Sequence, residues 1–212
     1  MCIRDSREGG EVGALYADRR VEKNDEGYIP YNPGQTIATE NTTPFKIGTV
    51  NPKWNLGWRH GFNYKGINAS VMFTARIGGN VISKTQATLD RFGVSKASAD
   101  AREAGYVMLG NIKMEPQDYY GTIYDLDSYY VYSATNIRLQ EASIGYTLPN
   151  KWFGNVVKNV NVSVYGTNLW MIYNKAPYDP ELTASTGTFG QGYDYFMLPS
   201  SRTYGFSLKF GF

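Results

Sequence analysis

The sequence predicts an all-β fold: an antiparallel up-and-down transmembrane β-barrel segment of about six strands, with short helices in a long extracellular loop. Two observations predict it. Several segments alternate between apolar and polar residues, which is typical of strands with one apolar and one polar face. The connections between these segments are alternately long and short, as they are in up-and-down transmembrane barrels.

The composition agrees with a β-rich protein that crosses a membrane without helices. Of the 212 residues, 19% are charged, 15% are aromatic and 23 are glycine. The longest apolar run, 169–173, is far shorter than the roughly 20 residues of a membrane-spanning helix, so barrel strands are the only route across a bilayer. The net charge of +2 argues neither for nor against nucleic acid, but the absence of Lys and Arg clusters argues against a phosphate-binding stripe.

The amino terminus lacks the pattern of the remaining chain. Residues 1–10 form an unpatterned region, and residues 1–6 are expected to be foreign to the natural protein. No basic and apolar signal peptide opens the chain, so an exported protein would have its true amino terminus elsewhere. Residues 11–212 are assigned to the barrel. Cys2 is the only cysteine, which excludes an internal disulfide.

The clearest element is a hairpin of two alternating strands, 54–64 and 67–77, joined by the turn Lys65-Gly66. A weak strand is predicted at about 11–20. Three more follow at about 135–148, 157–172 and 202–212, and a bulge near Gln140-Glu141 restores the phase of the first of these. The long loops are predicted at 21–52, 79–130 and 173–200. Two short helices, 84–92 and 95–104, lie in the second loop, with Gly105 as a C-cap.

The alternation assigns residues to the two faces of the predicted barrel wall. The apolar set is expected to face lipid: Trp58, Phe62, Val71, Phe73, Val162, Phe206 and Leu208. The polar set is expected to face the lumen: Arg59, Asn63, Ser70, Arg76, Ser163 and Lys209. With the carboxyl terminus on the periplasmic side, the three long loops are extracellular.

A few residues are of types that can carry out chemistry, but each also has an ordinary structural explanation. His60 lies on an apolar strand face without a second His or Cys, so a metal site is not expected. Asp179 and Glu181 match the residue types of a glycosidase pair, but are expected to be loop carboxylates. The loop tyrosines could stack on sugars, contact a partner or pack the loops. The candidate extracellular-loop contacts are Tyr119, Tyr129, Tyr130, Asp179, Glu181 and Tyr193.

An ordered series of motifs resembles the carboxyl-terminal part of the SusC/RagA family of TonB-dependent outer-membrane transporters of Bacteroidetes. It includes Asn136-Ile137-Arg138-Leu139, Ile144-Gly145-Tyr146-Thr147-Leu148-Pro149, Gly166-Thr167-Asn168-Leu169 and Tyr178-Asp179-Pro180-Glu181. The resemblance implies an outer-membrane barrel of the 22-stranded class, of which this chain is a fragment. It also implies a plug that contacts TonB, a SusD-like surface lipoprotein as partner and import of oligosaccharides or peptides, with neither cofactor nor enzymatic activity.

Barrels of this kind end on an aromatic residue in an alternating strand, which the assembly machinery reads. The candidate assembly signal is Tyr204, Phe206, Leu208, Phe210 and Phe212. An alternative from another class remains open at this point: a soluble, secreted β-sandwich that binds carbohydrate. A glycoside hydrolase is a weaker third hypothesis.

Overall fold

The structure is a computed structural model that describes residues 10–110, 112–152, 158–182 and 191–211. None of the helices in these ranges is long and apolar enough to span a membrane. In chain order the elements are β1 (Ala14–Val21), β2 (Thr39–Thr49), β3 (Trp54–Tyr64), β4 (Ile67–Ile77), β5 (Asn80–Ser83), α1 (Lys84–Arg91), α2 (Lys96–Ala104), β6 (Val107–Leu109), β7 (Ile112–Met114), α3 (Pro116–Ile123), a 3₁₀ helix (Asp127–Tyr130), β8 (Val131–Ser133), β9 (Asn136–Thr147), a second 3₁₀ helix (Asn150–Trp152), β10 (Lys158–Asn174), β11 (Tyr193–Asp194) and β12 (Thr203–Gly211).

The chain folds as two compact units, each built from three separate stretches of sequence. The sheet unit comprises Pro52–Gly78, Ala134–Glu181 and Leu198–Phe212. The loop unit comprises Met1–Asn51, Gly79–Ser133 and Leu182–Met197. The all-β prediction is confirmed, since strands predominate and the helices are few and short.

The sheet unit contains one five-stranded sheet with the order β12-β10-β9-β4-β3. All four pairings are antiparallel, and the strands are neighbours in the order in which they follow along the chain. The β3–β4 hairpin turns at Lys65 and Gly66, whose φ angles of 46° and 87° fit a two-residue turn of the type that matches strand twist. The predicted hairpin is therefore confirmed.

The predicted bulge in β9 is also confirmed. Glu141 pairs with Met72 of β4 and Leu139 pairs with Phe73, so Gln140 is an extra residue without an opposite partner. The extra residue changes the phase, which puts Ile137 and Leu139 on the same face as the later apolar residues.

Successive strands of the sheet run in opposite directions, which sorts the connections by length. The short connections, 65–66 and 148–157, join strands at one end of the sheet. The long connections, 78–135 and 175–202, join strands at the other end, where β3 also begins. The predicted alternation of long and short connections is therefore present.

The loop unit contains three small sheets and three helices. The sheets are β1-β2, β11-β5-β8 and β6-β7. Ser83 and Ser95 cap α1 and α2 by accepting hydrogen bonds from backbone N–H groups, and Gly105 ends α2 with a φ of 77°. Both predicted helices and the predicted C-cap are thus confirmed. Each small core is built from side chains distant in sequence, such as Leu15, Val50 and Ile82.

Several short elements form where loops are predicted, and β2 and α3 are the longest of those that the sequence did not predict. Residues Thr39–Thr49 were assigned to a loop but form β2, because pairing with β1 satisfies their backbone. Pro44 falls where the β1–β2 register shifts, so its missing N–H removes no regular ladder bond. The helix α3 carries Pro116 in its first turn as its main start signal, and packing of Tyr120 and Ile123 in the core stabilises it.

A sheet of six strands is not confirmed. The strand predicted at about 11–20 is β1, which pairs with β2 in a separate sheet. Within the described residues the main sheet has five strands and is open, with β3 and β12 at its edges. Closure into a barrel would require further strands to pair with both edges.

Candidate functional site

The polar face of the five-stranded sheet contains the six residues expected to face the lumen. Directly opposite residues on paired strands share a face of the sheet, so the register shows which residues lie on the polar face. Asn55 pairs with Arg76, Gly61 with Ser70, and Asn161 with Lys209. Cross-strand pairs connect all members of this set through the five strands: Arg59, Asn63, Ser70, Arg76, Ser163 and Lys209.

Side-chain hydrogen bonds connect neighbouring strands on this polar face. The hydroxyl oxygens of Ser70 and Ser143 lie 2.8 Å apart. The amides of Asn68 and Asn161 both donate to the hydroxyl oxygen of Thr147, each at 2.9 Å. The face thus presents hydroxyl and amide groups that can hydrogen-bond water or a polar solute.

The opposite face of the sheet is apolar and exposed. Trp58 stacks on Phe73 across the β3–β4 pair, with ring centroids 5.6 Å apart. The assembly-signal candidates on β12 share this face; Tyr204 is 70% exposed and Phe206 80% exposed. Leu208 and Phe210 are also exposed, while Phe212 lies outside the described residues. An exposed apolar face of this extent is typical of a surface that contacts lipid or protein.

Sequence reasoning missed a buried charge cluster near the beginning of β9. Two guanidinium nitrogens of Arg138 lie 2.8 and 3.4 Å from the two carboxylate oxygens of Asp179. Both side chains are buried, and Glu181 lies 3.4 Å from the same guanidinium. Ser200 donates to Asp179 at 2.5 Å. The cluster fastens the segment after β10 to β9.

Electrostatics keeps Asp179 ionised in this cluster. Burial by itself raises the pKa of the Asp179 carboxyl. Hydrogen bonds from Arg138, Ser200 and the backbone N–H of Glu181 outweigh burial and hold that pKa below its usual value. Asp179 is therefore an ion-pair partner with its oxygens occupied, which leaves Glu181 as the accessible carboxylate of the two.

The loop tyrosines differ in accessibility. Tyr130 is 2% exposed and packs in a core cluster with Tyr120 and Ile123, and burial raises the pKa of its hydroxyl. Tyr119 is half-buried against two core clusters. The Tyr193 hydroxyl lies 3.5 Å from Asp127, whereas Tyr129 is 43% exposed. Tyr130 therefore has a packing role in the core. Tyr129 is the most accessible of these four tyrosines and the best placed to contact a ligand.

The described part of the chain contains no group of three or more His, Cys, Asp or Glu side chains that could hold a metal ion. His60 stacks against Trp58 on the apolar face, with ring centroids 5.8 Å apart. This position gives the imidazole an aromatic neighbour instead of ionisable ligands.

No protein-family model matches the chain. A curated relative, the TonB-dependent receptor P3 of Formosa agariphila, is 27% identical over 172 residues, which cover 77% of this chain and 17% of the relative. In sequence the chain is therefore similar to part of a TonB-dependent receptor.

The RagAB peptide importer is similar to this chain in fold. Its "open-open" state matches with a TM-score of 0.60 at 18% identity, over 94% of this chain and 23% of the other. The "closed-closed" state gives 0.54 at 15% identity, and the RagAB peptide transporter gives 0.51 at 18% identity. Both cover 91% of this chain and 23% of the other. The chain thus spans less than a quarter of the length of these relatives.

Proposed function

We propose that this chain is part of an outer-membrane, TonB-dependent active transporter that imports oligosaccharides or peptides together with a SusD-like surface lipoprotein. The observation that carries the proposal is the five-stranded meander with one apolar and one polar face and with its long connections at one end. This arrangement is typical of the wall of a transmembrane barrel.

In this proposal the two faces have different solvents. The apolar side chains contact lipid, which removes them from water without a second protein layer. The hydroxyls and amides around Ser70, Ser143 and Thr147 line a wet lumen. The long connections are extracellular and the carboxyl terminus is periplasmic. Energy coupling to TonB belongs to a plug in the complete protein, as the resemblance implies.

The geometry favours transport over the two alternative functions. A β-sandwich buries one face of each sheet against the other, whereas Tyr204, Phe206 and Trp58 are more than half exposed. A glycosidase needs a free carboxylate nucleophile or base, whereas Asp179 is bound by Arg138 and Ser200. The SusD-like partner is supported by the likeness to RagAB, a peptide importer.

The test is deletion of the complete gene in its native bacterium, followed by growth on defined peptide and oligosaccharide pools. We expect growth on one class of solute to fail and to return with the wild-type gene, but not in a strain without functional TonB. The tagged protein should fractionate with the outer membrane. Recovery of the protein in the soluble fraction, with unchanged growth on both pools, would refute the proposed function.

A further inference from the structure

The loop unit contains a polar cleft that no role discussed so far uses. It has a volume of about 640 Å³ and lies between the end of α1, the first turn of α3 and the segment 34–36. Its polar lining comprises Gln35, Thr36, Arg91, Gln117 and Asp118. This volume lies within the range of about 300–1,000 Å³ that is typical of sites for small ligands.

The wall formed by residues 34–36 is fixed to α3 by hydrogen bonds. The Tyr31 hydroxyl and the Gly34 backbone N–H both donate to one carboxylate oxygen of Asp118, each at 2.8 Å. The backbone N–H of Ile37 donates to the Thr122 hydroxyl oxygen at 2.9 Å. Asp118 is 7% exposed, so its carboxylate acts mainly as the anchor of this wall. The cleft is therefore formed before any ligand arrives.

Arg91 is the cation that lines the cleft, and no carboxylate partner is found for it among the described residues. Its guanidinium lies 4.3 Å from the ring centroid of Tyr124, a distance that fits a cation–π contact. None of the ion pairs found among the described residues includes Arg91. The neighbouring Lys84, by contrast, forms an ion pair with Asp127. The N–H groups of the planar Arg91 guanidinium are thus available to donate hydrogen bonds to a ligand.

We propose that this cleft binds the carboxylate of a short oligomeric solute, with Arg91 as the group that recognises it. The inference rests on the proposed function and narrows its substrate to carboxylate-bearing molecules. Arginine binds a carboxylate through two parallel hydrogen bonds, while Gln35 and Gln117 can donate to and accept from the polar groups that follow it. A peptide carboxyl terminus and a uronate sugar both supply this chemistry.

The experiment measures binding to the complete transporter in lipid nanodiscs by calorimetry. The probes form two pairs, each an acid and its neutral counterpart. One pair is N-acetyl-trialanine and its carboxyl-terminal amide, and the other is trigalacturonate and its methyl ester. We expect one acid to bind at least about tenfold more tightly than its neutral form, in line with a charge-assisted hydrogen bond at a partly exposed site. The responding acid identifies the peptide or the uronate source.

Arg91→Gln should abolish the preference for the acid, whereas Arg91→Lys should retain part of it. Lys96→Gln removes one positive charge from an exposed site outside the cleft and is the matched control. An acid preference that persists in Arg91→Gln, or equal binding of acid and neutral forms of both probes, would overturn the inference. Normal outer-membrane levels and TonB-dependent growth in that case would leave the proposed function standing.

Discussion

Arg138 and Asp179 fix the end of the sheet unit through a buried, two-contact ion pair. Removing one partner leaves the other charge buried without compensation. The resulting loss of folding free energy exceeds the net stabilisation that the pair provides. Asp179→Asn should lower the free energy of unfolding by about 3 kcal/mol, the low end of the range for broken buried pairs, because Glu181 stays 3.4 Å from Arg138. Chemical unfolding of the complete protein in detergent measures this change.

The control for that variant is Asp100→Asn, which breaks an exposed ion pair with Lys96. Its effect should stay below about 0.5 kcal/mol, as for other exposed helix pairs. Equal effects of the two substitutions would show that the Arg138–Asp179 pair does not stabilise the protein.

The ion pair also predicts a pH dependence. Because the folded-state pKa of Asp179 lies below its ordinary value of 3.8, the carboxylate contributes stability above that value and loses it as the pH falls through the folded-state pKa. The stability difference between the wild type and Asp179→Asn should be constant from pH 7 to about 5 and should shrink below about 4. Unfolding curves across this pH range test it, and a difference that grows on acidification would contradict the assignment.

At the scale of the single strand, the bulge in β9 determines which residues face each side. Deleting Gln140 removes the extra residue but leaves Leu139 and Ala142 in phase on the apolar face. We therefore expect the Gln140 deletion to reach the outer membrane at a near-normal level. Quantification of the heat-modifiable, folded form in outer-membrane fractions measures this.

The matched control is a deletion of Ser70 in β4, which pairs with β3 without any register shift. Loss of this residue reverses the phase of half the strand and moves Arg76 or Asn68 to the apolar face. Its folded level should fall sharply. Similar levels for both deletions would mean that strand phase does not control assembly.

We expect the apolar face of the whole sheet to contact lipid and its polar face to contact water. Spin labels at Trp58, Phe73 and Phe206 should report contact with lipid-soluble oxygen in bilayers. Labels at Asn63, Ser163 and Lys209 should report contact with water-soluble reagents, because the register places them on the polar face. Reversed accessibility of the two sets would refute the assignment of faces.

The isolated chain should not be stable in water. Its sheet has two open edges, and its exposed apolar side chains form one continuous face. We expect the purified chain to aggregate without detergent, which sedimentation and light scattering would show. A soluble monomer with a cooperative melting transition would support the β-sandwich alternative instead.

Several motifs that indicated the family have structural roles that their letters alone did not reveal. Asn168, in Gly166-Thr167-Asn168-Leu169, adopts a positive φ of 52° where the register of β9 and β10 shifts. Its side chain accepts a hydrogen bond from Gln140 at 3.0 Å, which joins the irregularities of the two strands. The Arg138 and Asp179 motifs supply the two partners of the buried ion pair.

The sequence by itself determined the strands of the five-stranded sheet, their two faces, the hairpin turn and the bulge. These features are local: side-chain alternation has a period of two residues, and the turn and bulge follow from a few adjacent positions. Only the tertiary structure decided that β2 pairs with β1, that α3 forms, and that Arg138 binds Asp179. The physical reason is that these features depend on partners distant in sequence, and packing stabilises them where local preference is weak.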